Sequence, residues 1–246
     1  MKVEVISCMY NEEFLIPFFL NHYSWVDTIT VLLDIDTDDN STEILEQNSI
    51  VNIIPFVFPN GMDDGLKSKL ISDLYVKSDA NWVIIAGADE FIFINKQLLS
   101  CIPDEFTVVD VKLYDIYRHV TDSDLNQFIP ISKQRQHGQL DPNYIKPSIA
   151  RGKLNFVWGP GHHNIAGAVN RHQSPFIGSH WAMADPCFCI SRRVNNRRDR
   201  QSKANKICGW STQNWNITES SVLEECKSHM NDPLINDIER IVNHEV

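Results

Sequence analysis

Two adjacent carboxylates, Asp89 and Glu90, follow an apolar stretch that starts at Trp82 and has the β-branched residues of a strand buried on both faces. In an open α/β sheet, ligands bind in the crevice beyond the carboxyl ends of the parallel strands. Carboxylates at that place could hold a hard cation and, through it, a phosphate group. A solvated Glu90 beside an Asp89 that only caps a turn would explain the same residues, so the rest of the sequence has to distinguish these interpretations.

Acidic and polar side chains also follow two earlier strand-like runs. Tyr10, Asn11 and Glu12 come after the first run, and Asp34 and Asp36 come after the second. Since parallel strands end at the same edge of a sheet, we expect all three acidic loops to gather at one rim. Aspartates on such a rim commonly bind a ribose or a base.

The apolar patterns alternate in the order strand, helix, strand, helix, strand, helix, strand, which is typical of a doubly wound α/β domain. Asn11 is expected to cap the first helix, whose first turn would contain Glu12 and Glu13. The sequence has no G-x-G-x-x-G after the first strand and no Walker loop, which argues against a Rossmann dehydrogenase and a P-loop nucleotidase. The expected strands are 2–9, 29–33, 50–58 and a central strand from 81, and the expected helices are 11–25, 41–45 and 64–78.

Charge is unevenly distributed along the chain. The 246 residues have a formal net charge of -10, which argues against a nucleic-acid-binding protein because phosphate binding needs a basic face. One C-terminal segment is basic and could face an anionic ligand or a membrane surface, although a solvated helical face is the simpler interpretation. Its basic residues are Arg192, Arg193, Arg197, Arg198, Arg200, Lys203 and Lys206.

The six cysteines form no CxxC pair, which predicts reduced thiols and neither a disulfide framework nor a zinc site. The N-terminus enters a strand-like run at once, and no apolar run is long enough to cross a bilayer. We therefore expect a cytoplasmic protein with one full core, which the basic segment could bring to the inner face of the membrane.

Several motifs, taken in order, resemble those of the family 2-like glycosyltransferases, which have the GT-A fold. The stretch 10–13 resembles the asparagine–glutamate motif after their first strand, and 34–41 is similar to their D-x-x-S-x-D-x-T loop. The stretch 82–91 matches their W-x-x-x-x-D-x-D-E-F element, except that Gly87 replaces the first aspartate. The ordered set spans residues 3–210. The remaining matches are the K-P-x-x-x-R segment 146–151, the G-x-H turn 161–163, His180, and the Q-x-K…G residues Gln201, Lys203 and Gly209.

The resemblance implies an α/β GT-A fold with a mostly parallel central sheet flanked by helices and a helical C-terminal extension. Residues 1–100 would form the nucleotide-sugar-binding half, 101–215 the acceptor-binding half of the same domain, and 216–246 the extension. That extension would hold one helix from about residue 218 and another from Asp232, which precedes a proline. The implied activity is transfer of a sugar from a nucleotide-sugar donor to a glycan or lipid-linked glycan in the biosynthesis of a cell-surface polysaccharide such as capsule or lipopolysaccharide.

The resemblance also implies roles for particular residues. A divalent metal ion, manganese or magnesium, would neutralise the diphosphate leaving group and would be held by Asp89 and His180, with His163 as the second histidine candidate. Gly87 leaves the need for the metal open, since basic side chains can also neutralise the diphosphate. The residues expected around the donor are Tyr10, Asn11, Glu12, Asp34, Asp36, Lys67, Asp89, Lys146 and Arg151. A solvated lysine in the first turn of a helix would explain Lys67 equally, and surface positions are the alternative for Lys146 and Arg151.

A general base is needed only if the reaction inverts the anomeric centre. Asp185 is the first candidate, but an aspartate followed by a proline is also the pattern of a helix N-cap. His162 and His163 are alternative bases, and Glu90 is a further catalytic candidate at the rim.

Two tryptophans in the expected acceptor half, Trp158 and Trp181, could shape the acceptor pocket, because an indole ring stacks well on a sugar ring. Positions in the hydrophobic core would explain both residues equally.

Two other functions fit parts of the sequence. A degenerate GT-A domain could bind a nucleotide or a glycan as a subunit of an assembly, and Gly87 keeps that alternative open. A sugar-nucleotide pyrophosphorylase would need a glycine-rich, basic loop after the first strand, and residues 8–13 are neither glycine-rich nor basic.

Overall fold

A central eight-stranded sheet forms the core of the protein. The computed structural model describes residues 1–235, and at 141–143 and 173–175 it describes the backbone alone. The strands are β1 (Val3–Met9), β2 (Thr28–Asp34), β3 (Val51–Phe56), β4 (Trp82–Ile85), β5 (Glu90–Ile92), β6 (Val108–Tyr117), β7 (Gly138–Arg151), β8 (Val157–Trp158), β9 (Ile165–Ala166) and β10 (Arg171–Met183). The strand order in the main sheet is β3-β2-β1-β4-β7-β6-β10-β5, and β8 pairs with β9 separately.

Strands β1 to β4 form a parallel half of the sheet: β1 pairs with β2 and β4, and β2 pairs with β3. Beyond β4, strand β7 is antiparallel to both of its neighbours, β6 and β10 are parallel, and β5 is antiparallel to β10. The predicted α/β fold with a mostly parallel central sheet is therefore confirmed. Because β1, β2 and β4 are parallel, the loops that follow them leave the sheet at the same rim.

Helices connect the parallel strands, as the alternating pattern predicts. The third helix begins at Asp64 as expected, and the Asp63 side chain caps it by accepting the N–H of Leu66 at 2.9 Å. The helices are α1 (Ile16–His22), α2 (Ser41–Glu46), α3 (Asp64–Lys77), α4 (Lys96–Ser100), α5 (Pro186–Cys189), α6 (Lys203–Cys208) and α7 (Glu219–Ser228), with a π-helical segment at Ile190–Arg197 and 3-10 turns at Ile131–Lys133, Pro160–His162 and Thr212–Asn214.

The first helix begins later than predicted. It starts at Ile16 and not after Asn11, which has a positive φ of 49° and whose side chain donates to Asp38 at 2.5 Å. A helix from Asn11 would place Pro17 in its interior, where proline cannot donate the backbone hydrogen bond; in the observed helix Pro17 lies in the first turn. Glu12 is therefore not a first-turn residue, and its side chain lies in the crevice beyond β1.

Apolar side chains cover both faces of the sheet. Val5 and Ile84 belong to one hydrophobic cluster, while Ile6 and Val83 belong to another on the opposite face. Successive residues of a strand point to opposite faces, so β1 and β4 are buried on both sides. This burial on both sides explains why the sequence is continuously apolar along β1 and β4.

The two tryptophans proposed for an acceptor pocket lie in these cores instead. Trp158 and Trp181 are 2% and 0% exposed. The indole N–H of Trp158 donates to the Pro147 carbonyl at 3.0 Å, and that of Trp181 donates to Ser179 Oγ at 2.6 Å. Both rings are enclosed, with their polar atoms satisfied, so neither offers a face to a sugar.

The C-terminal part begins with the expected helix. Thr218 and Ser221 form a capping box at the start of α7, which buries Val222. The second helix expected from Asp232 lies mainly beyond residue 235 and so outside the described residues, whereas Leu234 forms an isolated β-bridge. The division into residues 1–100, 101–215 and 216–246 stays a prediction.

All six cysteines are free thiols, and two of them, Cys189 and Cys226, are buried. Within residues 1–235, none of the helices has both the length and the apolar composition that crossing a bilayer requires.

Candidate functional site

Three buried carboxylates lie where β1, β2 and β4 end. Glu12, Asp34 and Asp89 are only 1%, 1% and 7% exposed. Charged side chains are rarely buried to this degree unless they are paired, because an isolated charge is strongly disfavoured away from water. Each of the three has at least one arginine partner from the basic segment 192–206, and Asp89 also contacts His180.

Arg192 bridges two of these carboxylates. It lies in the π-helical segment and is 3% exposed. Its Nε donates to the two oxygens of Glu12 at 2.9 and 3.0 Å, its Nη2 lies 2.9 Å from Glu12, and its Nη1 donates to Asp89. Burial alone would lower the pKa of Arg192, but Asp89 and Glu12 outweigh burial and raise it. A permanently charged guanidinium therefore stands between the ends of β1 and β4.

Two further arginines of the basic segment face the rim. Arg197 Nη2 donates to Glu12 Oε1 at 2.7 Å. Arg200 Nη2 donates to Asp34 at 2.8 Å and to Asp36 at 3.1 Å. The guanidinium carbon of Arg200 also lies 3.6 Å from the centre of the Tyr10 ring. Arg200 thus stacks on an aromatic face and donates to a carboxylate at the same time.

The basic segment is therefore not the solvated helical face that the simpler interpretation predicted. Buried carboxylates need cations, and its inward arginines supply them. Of its remaining basic residues, Arg193 pairs with Glu225 at 3.1 Å, Arg198 pairs with Asp199 at 3.0 Å, and Lys203 and Lys206 are exposed.

A buried polar network ties this segment to helix α3. The Met62 N–H donates to the Arg200 carbonyl at 2.5 Å, and the Ser202 N–H donates to the Met62 carbonyl at 3.0 Å. The side chain of Asn205, which is 0% exposed, donates to Asp64 at 3.1 Å and accepts the Asp64 backbone N–H at 2.9 Å. The end of the basic segment from Arg200 to Asn205 is therefore held beside α3 by contacts that do not depend on the ion pairs of its arginines.

Glu90 forms a second buried ion pair, with Lys146 of β7, and is not the solvated residue of the simpler interpretation. The two side chains are each 6% exposed. Glu90 Oε2 also accepts the N–H of Gly87 at 3.0 Å, and Lys146 Nζ lies 4.6 Å from the centre of the Tyr144 ring. Burial raises the pKa of Glu90, but Lys146 outweighs burial and the net shift is downward, so Glu90 is ionised at neutral pH.

The sheet register places His180 among carboxylates. It pairs with Glu90 of β5 and with Asp115 of β6. Its Nδ1 lies 2.6 Å from Asp115 Oδ1, its Nε2 lies 3.2 Å from Asp89 Oδ2, and its ring stacks on Tyr144 with centres 4.8 Å apart. Burial lowers the pKa of His180, but Tyr144, Asp89 and Asp115 together raise it well above its usual value. The raised pKa favours the imidazolium form, in which both ring nitrogens are donors.

These contacts do not fit a divalent ion at Asp89. The Asp89 oxygen that lies 3.2 Å from His180 Nε2 also accepts a hydrogen bond from Arg192 Nη1, so a guanidinium already takes the place beside this carboxylate that an ion would need. Burial raises the pKa of Asp89, but Arg192 and His180 lower it well below its usual range, so both cations already neutralise this carboxylate. In the part of the chain that the structure describes, no three histidine, cysteine, aspartate or glutamate side chains converge to hold a metal ion.

The G-x-H turn lies beside Tyr144. The half-buried His163 ring meets the Tyr144 ring edge to face, with centres 5.2 Å apart. Burial and, to a lesser degree, Lys146 lower the pKa of His163, so its imidazole is neutral at pH 7. His162 is buried with a φ of 59°, and its Nε2 has no hydrogen-bond partner among the described residues. Lys67 Nζ lies 3.2 Å from Asp64 Oδ1, at the start of α3, and forms an ion pair with it.

Two residues of the expected site lie elsewhere. Arg151 pairs with Trp82 at the opposite end of β4 from the rim, stacks on that indole at 4.4 Å, and donates to a backbone carbonyl at 2.7 Å. It fixes strands and does not contact the crevice. Asp185 caps α5 by accepting the N–H groups of Cys187 and Phe188 at 2.9 and 3.1 Å, which is the alternative that its sequence pattern indicates.

The partners of the rim carboxylates are the residues that sequence reasoning missed. Arg197 pairs with Glu12 across a sequence separation of 185 positions, and Arg200 pairs with Asp36 across 164. No local pattern reveals contacts at such separations. Charge balance is the signal that could have found them, because acidic strand ends in a buried crevice require cations and 192–206 is the most basic segment. Asp115 and Tyr144 lie within strands, and no motif marks them.

No protein-family model matches the sequence, and no curated protein matches it either. Among solved structures, the chain is similar to TarS of S. aureus, with a TM-score of 0.42 and 14% identity over 93% of this chain and 43% of that one. A structure of TarS 1–349 in complex with UDP-GlcNAc gives a TM-score of 0.35 and 21% identity over 51% of this chain and 37% of that one. The chain thus spans less than half the length of these two TarS chains.

Two other enzymes are similar at the same level. Glucosyl-3-phosphoglycerate synthase from Mycobacterium tuberculosis, in complex with Mn²⁺, UDP and phosphoglyceric acid, gives a TM-score of 0.34 and 16% identity over 65% of this chain and 60% of that one. The 4-diphosphocytidyl-2C-methyl-D-erythritol synthase from Anaerococcus prevotii DSM 20548 gives a TM-score of 0.33 and 11% identity over 62% of this chain and 71% of that one. These neighbours are GT-A fold proteins. At such TM-scores and identities they carry no argument about the function of this chain, and its family 2 membership stays a prediction.

Proposed function

We propose that this protein is a glycosyltransferase that moves a sugar from a nucleotide-sugar donor to a glycan acceptor. The observation that carries the proposal is the rim of the parallel strands. One aromatic ring, Tyr10, and three buried carboxylates, Glu12, Asp34 and Asp89, follow β1, β2 and β4 at the crevice where α/β sheets bind their ligands.

Arg200 indicates which ligand group suits the first part of this crevice. Its flat guanidinium stacks on Tyr10 at 3.6 Å and donates an N–H to Asp34 at 2.8 Å. A nucleobase offers the same combination of a π-face and an N–H on its edge. We therefore assign Tyr10 and Asp34 to the base, with Asn11 and Asp36 beside them, so that the base displaces Arg200 when the donor binds.

The diphosphate would lie farther along the rim, near Lys67, Lys146 and Arg192. In the transfer, the bond between the anomeric carbon and the diphosphate oxygen breaks, and the acceptor oxygen forms a new bond to that carbon. The electron pair of the broken bond stays on the diphosphate. Preorganised cations stabilise the charge that develops there, which is the largest contribution that such a site can make to the rate.

His163 has the properties of the general base that an inverting transfer requires. It is half-buried and neutral at pH 7, so it can accept the proton of the acceptor hydroxyl. Glu90 is a poorer acceptor, because its ion pair with Lys146 stabilises the ionised form. Asp185 is engaged in capping α5.

The acceptor class rests on the resemblance alone: a glycan or lipid-linked glycan of a cell-surface polysaccharide, reached from the cytoplasmic side. The part of the basic segment that remains available to an anionic membrane is helix α6, where Lys203 and Lys206 are exposed and Ile207 is 85% exposed. Sedimentation with anionic and neutral liposomes tests this contact. Equal recovery with both would remove the membrane from the proposal.

A thermal-shift panel tests donor binding. UDP, GDP, CDP and TDP are each added to the full chain, with EDTA or with MnCl₂. A ligand that binds only the folded state raises the melting midpoint, so one nucleotide should raise it more than the others. Asp34→Asn should remove most of that rise, whereas the control Asp104→Asn, at an exposed site, should keep it.

Sugar transfer itself is then measured as release of the matching nucleoside diphosphate from a nucleotide-sugar in the presence of glycan acceptors. Failure of every nucleotide to raise the midpoint would reject the proposal and favour the degenerate GT-A domain that acts as an assembly subunit.

A further inference from the structure

We propose that Arg192 supplies the positive charge at Asp89 that a divalent ion would otherwise supply, so that this protein binds its donor without a metal. The statement about the donor rests on the proposed function. The occupancy of the Asp89 position by Arg192 does not depend on that function, and it can be tested separately.

The guanidinium of Arg192 lies between the ends of β1 and β4. Arg192 is 3% exposed and donates to both Glu12 and Asp89, the carboxylates at the ends of β1 and β4. A divalent ion bound to Asp89 would lie within a few ångströms of this fixed charge, and two cations at that distance repel each other strongly. The π-helical segment that contains Arg192 also buries Val194 in a hydrophobic cluster with Cys189 and Val222, so the position of Arg192 does not depend on its ion pairs alone.

Gly87 lies directly against the Asp89 carboxylate. A Cβ atom at this position would lie 2.6 Å from Asp89 Oδ1, closer than such atoms approach. The carboxylate that Arg192 holds thus occupies the space that a side chain at position 87 would need. A side chain at position 87 would therefore require the Asp89 carboxylate to turn away from its present position, where Arg192 and His180 hold its other oxygen.

The guanidinium of Arg192 has more N–H groups than its two carboxylates need. Its five N–H groups include one on Nε and two on each Nη atom. The contacts of Arg192 with Glu12 and Asp89 involve Nε, Nη1 and Nη2, which leaves one N–H on each Nη that these carboxylates do not require. Arginine binds phosphate oxygens well through this paired geometry. Arg192 can therefore keep its carboxylates and still donate to a diphosphate.

Manganese binding by the ligand-free protein tests the occupancy. Electron paramagnetic resonance of Mn²⁺ is recorded with the full wild-type chain, with Arg192→Met and with the control Arg193→Met, whose arginine pairs with Glu225. We expect wild type and R193M to leave the ion free and R192M to bind it, because Asp89 then loses its guanidinium. Uptake by wild type that Asp89→Asn abolishes would overturn the proposal.

Calorimetric titration with UDP, or with whichever nucleoside diphosphate stabilises the protein, tests the consequence for the donor. Wild type should bind with the same Kd, within about twofold, in EDTA and in MnCl₂. In EDTA, R192M should bind about 10- to 100-fold more weakly, the loss expected for hydrogen bonds to a charged group. R193M should match wild type. Tighter wild-type binding by tenfold or more with Mn²⁺, or an unchanged Kd in R192M, would overturn the proposal.

A folding defect in R192M does not remove the test, because Arg192→Lys keeps the charge and loses the planar pair of donors, and it should also bind more weakly. If no nucleoside diphosphate binds under either condition, the proposed function fails. The manganese measurement on wild type still decides whether Arg192 or a metal holds Asp89.

Discussion

Substituting Lys146→Met should destabilise the protein by about 3 kcal/mol, the lower end of the cost of removing one partner from a buried ion pair. Methionine is unbranched, apolar and one atom shorter than lysine, so the change removes the ammonium with its ion pair and its contact with the Tyr144 ring and leaves most of the apolar stem. Glu90 would remain 5% exposed, with the Gly87 N–H at 3.0 Å as a hydrogen-bond donor and the Asp89 carboxylate nearby. We use the lower end because Glu90 can relieve part of the cost by taking up a proton.

The expected loss can be read from thermal melting. For a chain of 150–250 residues, 1 kcal/mol corresponds to about 2–4 °C, so the midpoint at pH 7 should fall by about 6–12 °C. The control is Lys69→Met, the same substitution at the exposed pair with Asp73, where the side chains are 69% and 49% exposed. Exposed pairs contribute about 1 kcal/mol or less, so this control should change the midpoint by a few degrees at most.

The pH dependence gives a second, independent readout. In wild type the folded pKa of Glu90 is lowered, so its contribution to stability is present above the unfolded value of about 4.3 and is lost as the pH falls through the folded pKa. In K146M the folded pKa should instead lie above the unfolded value, so acid should favour folding. The difference in free energy of unfolding between wild type and K146M should therefore become smaller from pH 7 to about pH 4.

A double substitution completes the cycle. Lys146→Met with Glu90→Gln removes both charges and keeps an oxygen for the Gly87 N–H, so it should recover most of the loss. A K146M midpoint equal to that of K69M, or a double variant that shows only the sum of two losses, would refute this account of the buried pair.

Three further outcomes are expected. The pKa of His180 is raised, so its ion pairs contribute stability that is fully present below about pH 6.5 and is lost as the pH rises through the folded pKa. The difference in melting midpoint between wild type and His180→Asn should therefore become smaller at alkaline pH. A difference that stays constant with pH would contradict this. Asp185→Asn keeps an N-cap acceptor and should leave stability and transfer nearly unchanged, whereas Asp185→Ala should cost about 1 kcal/mol in chemical denaturation; loss of turnover in D185N alone would restore Asp185 as a base. Tyr10→Ala should weaken nucleotide binding about 5- to 100-fold in calorimetry, the range of a lost stacking contact, while Tyr10→Phe keeps it; equal weakening in both would argue against stacking.

Local patterns in the sequence were sufficient for the parallel half of the sheet. The apolar runs fix β1, β2 and β4, and the polar residues that follow them fix the rim, because these features depend only on neighbours in sequence. The start of α1 was wrong since the capping signal at Asn11 competes with Pro17 a few residues later. An N-cap pattern alone does not decide a helix start when a proline lies inside the expected first turns.

The cations of the rim could not be predicted in the same way. Periodicity finds helices and strands, but it does not state which side chains meet when distant segments pack. The basic segment was visible as composition, but the pairing of its arginines with Glu12, Asp34 and Asp89 is a set of tertiary contacts that no local pattern encodes. The same limit applies to His180, whose partner Asp115 is set by the register of β10 on β6.

The tie between α3 and the basic segment also bears on how the protein forms during synthesis. Glu12 meets Arg192 across 180 residues, and Asp64 meets Asn205 across 141. At a translation rate of about 5–20 residues per second, the acidic rim waits about 9–36 seconds for its arginines. Closing such long loops is a slow event in folding, and burying the unpaired carboxylates earlier would be unfavourable. The crevice is thus among the last parts to assemble, and a nascent chain shorter than about 205 residues should expose it to chaperones and proteases.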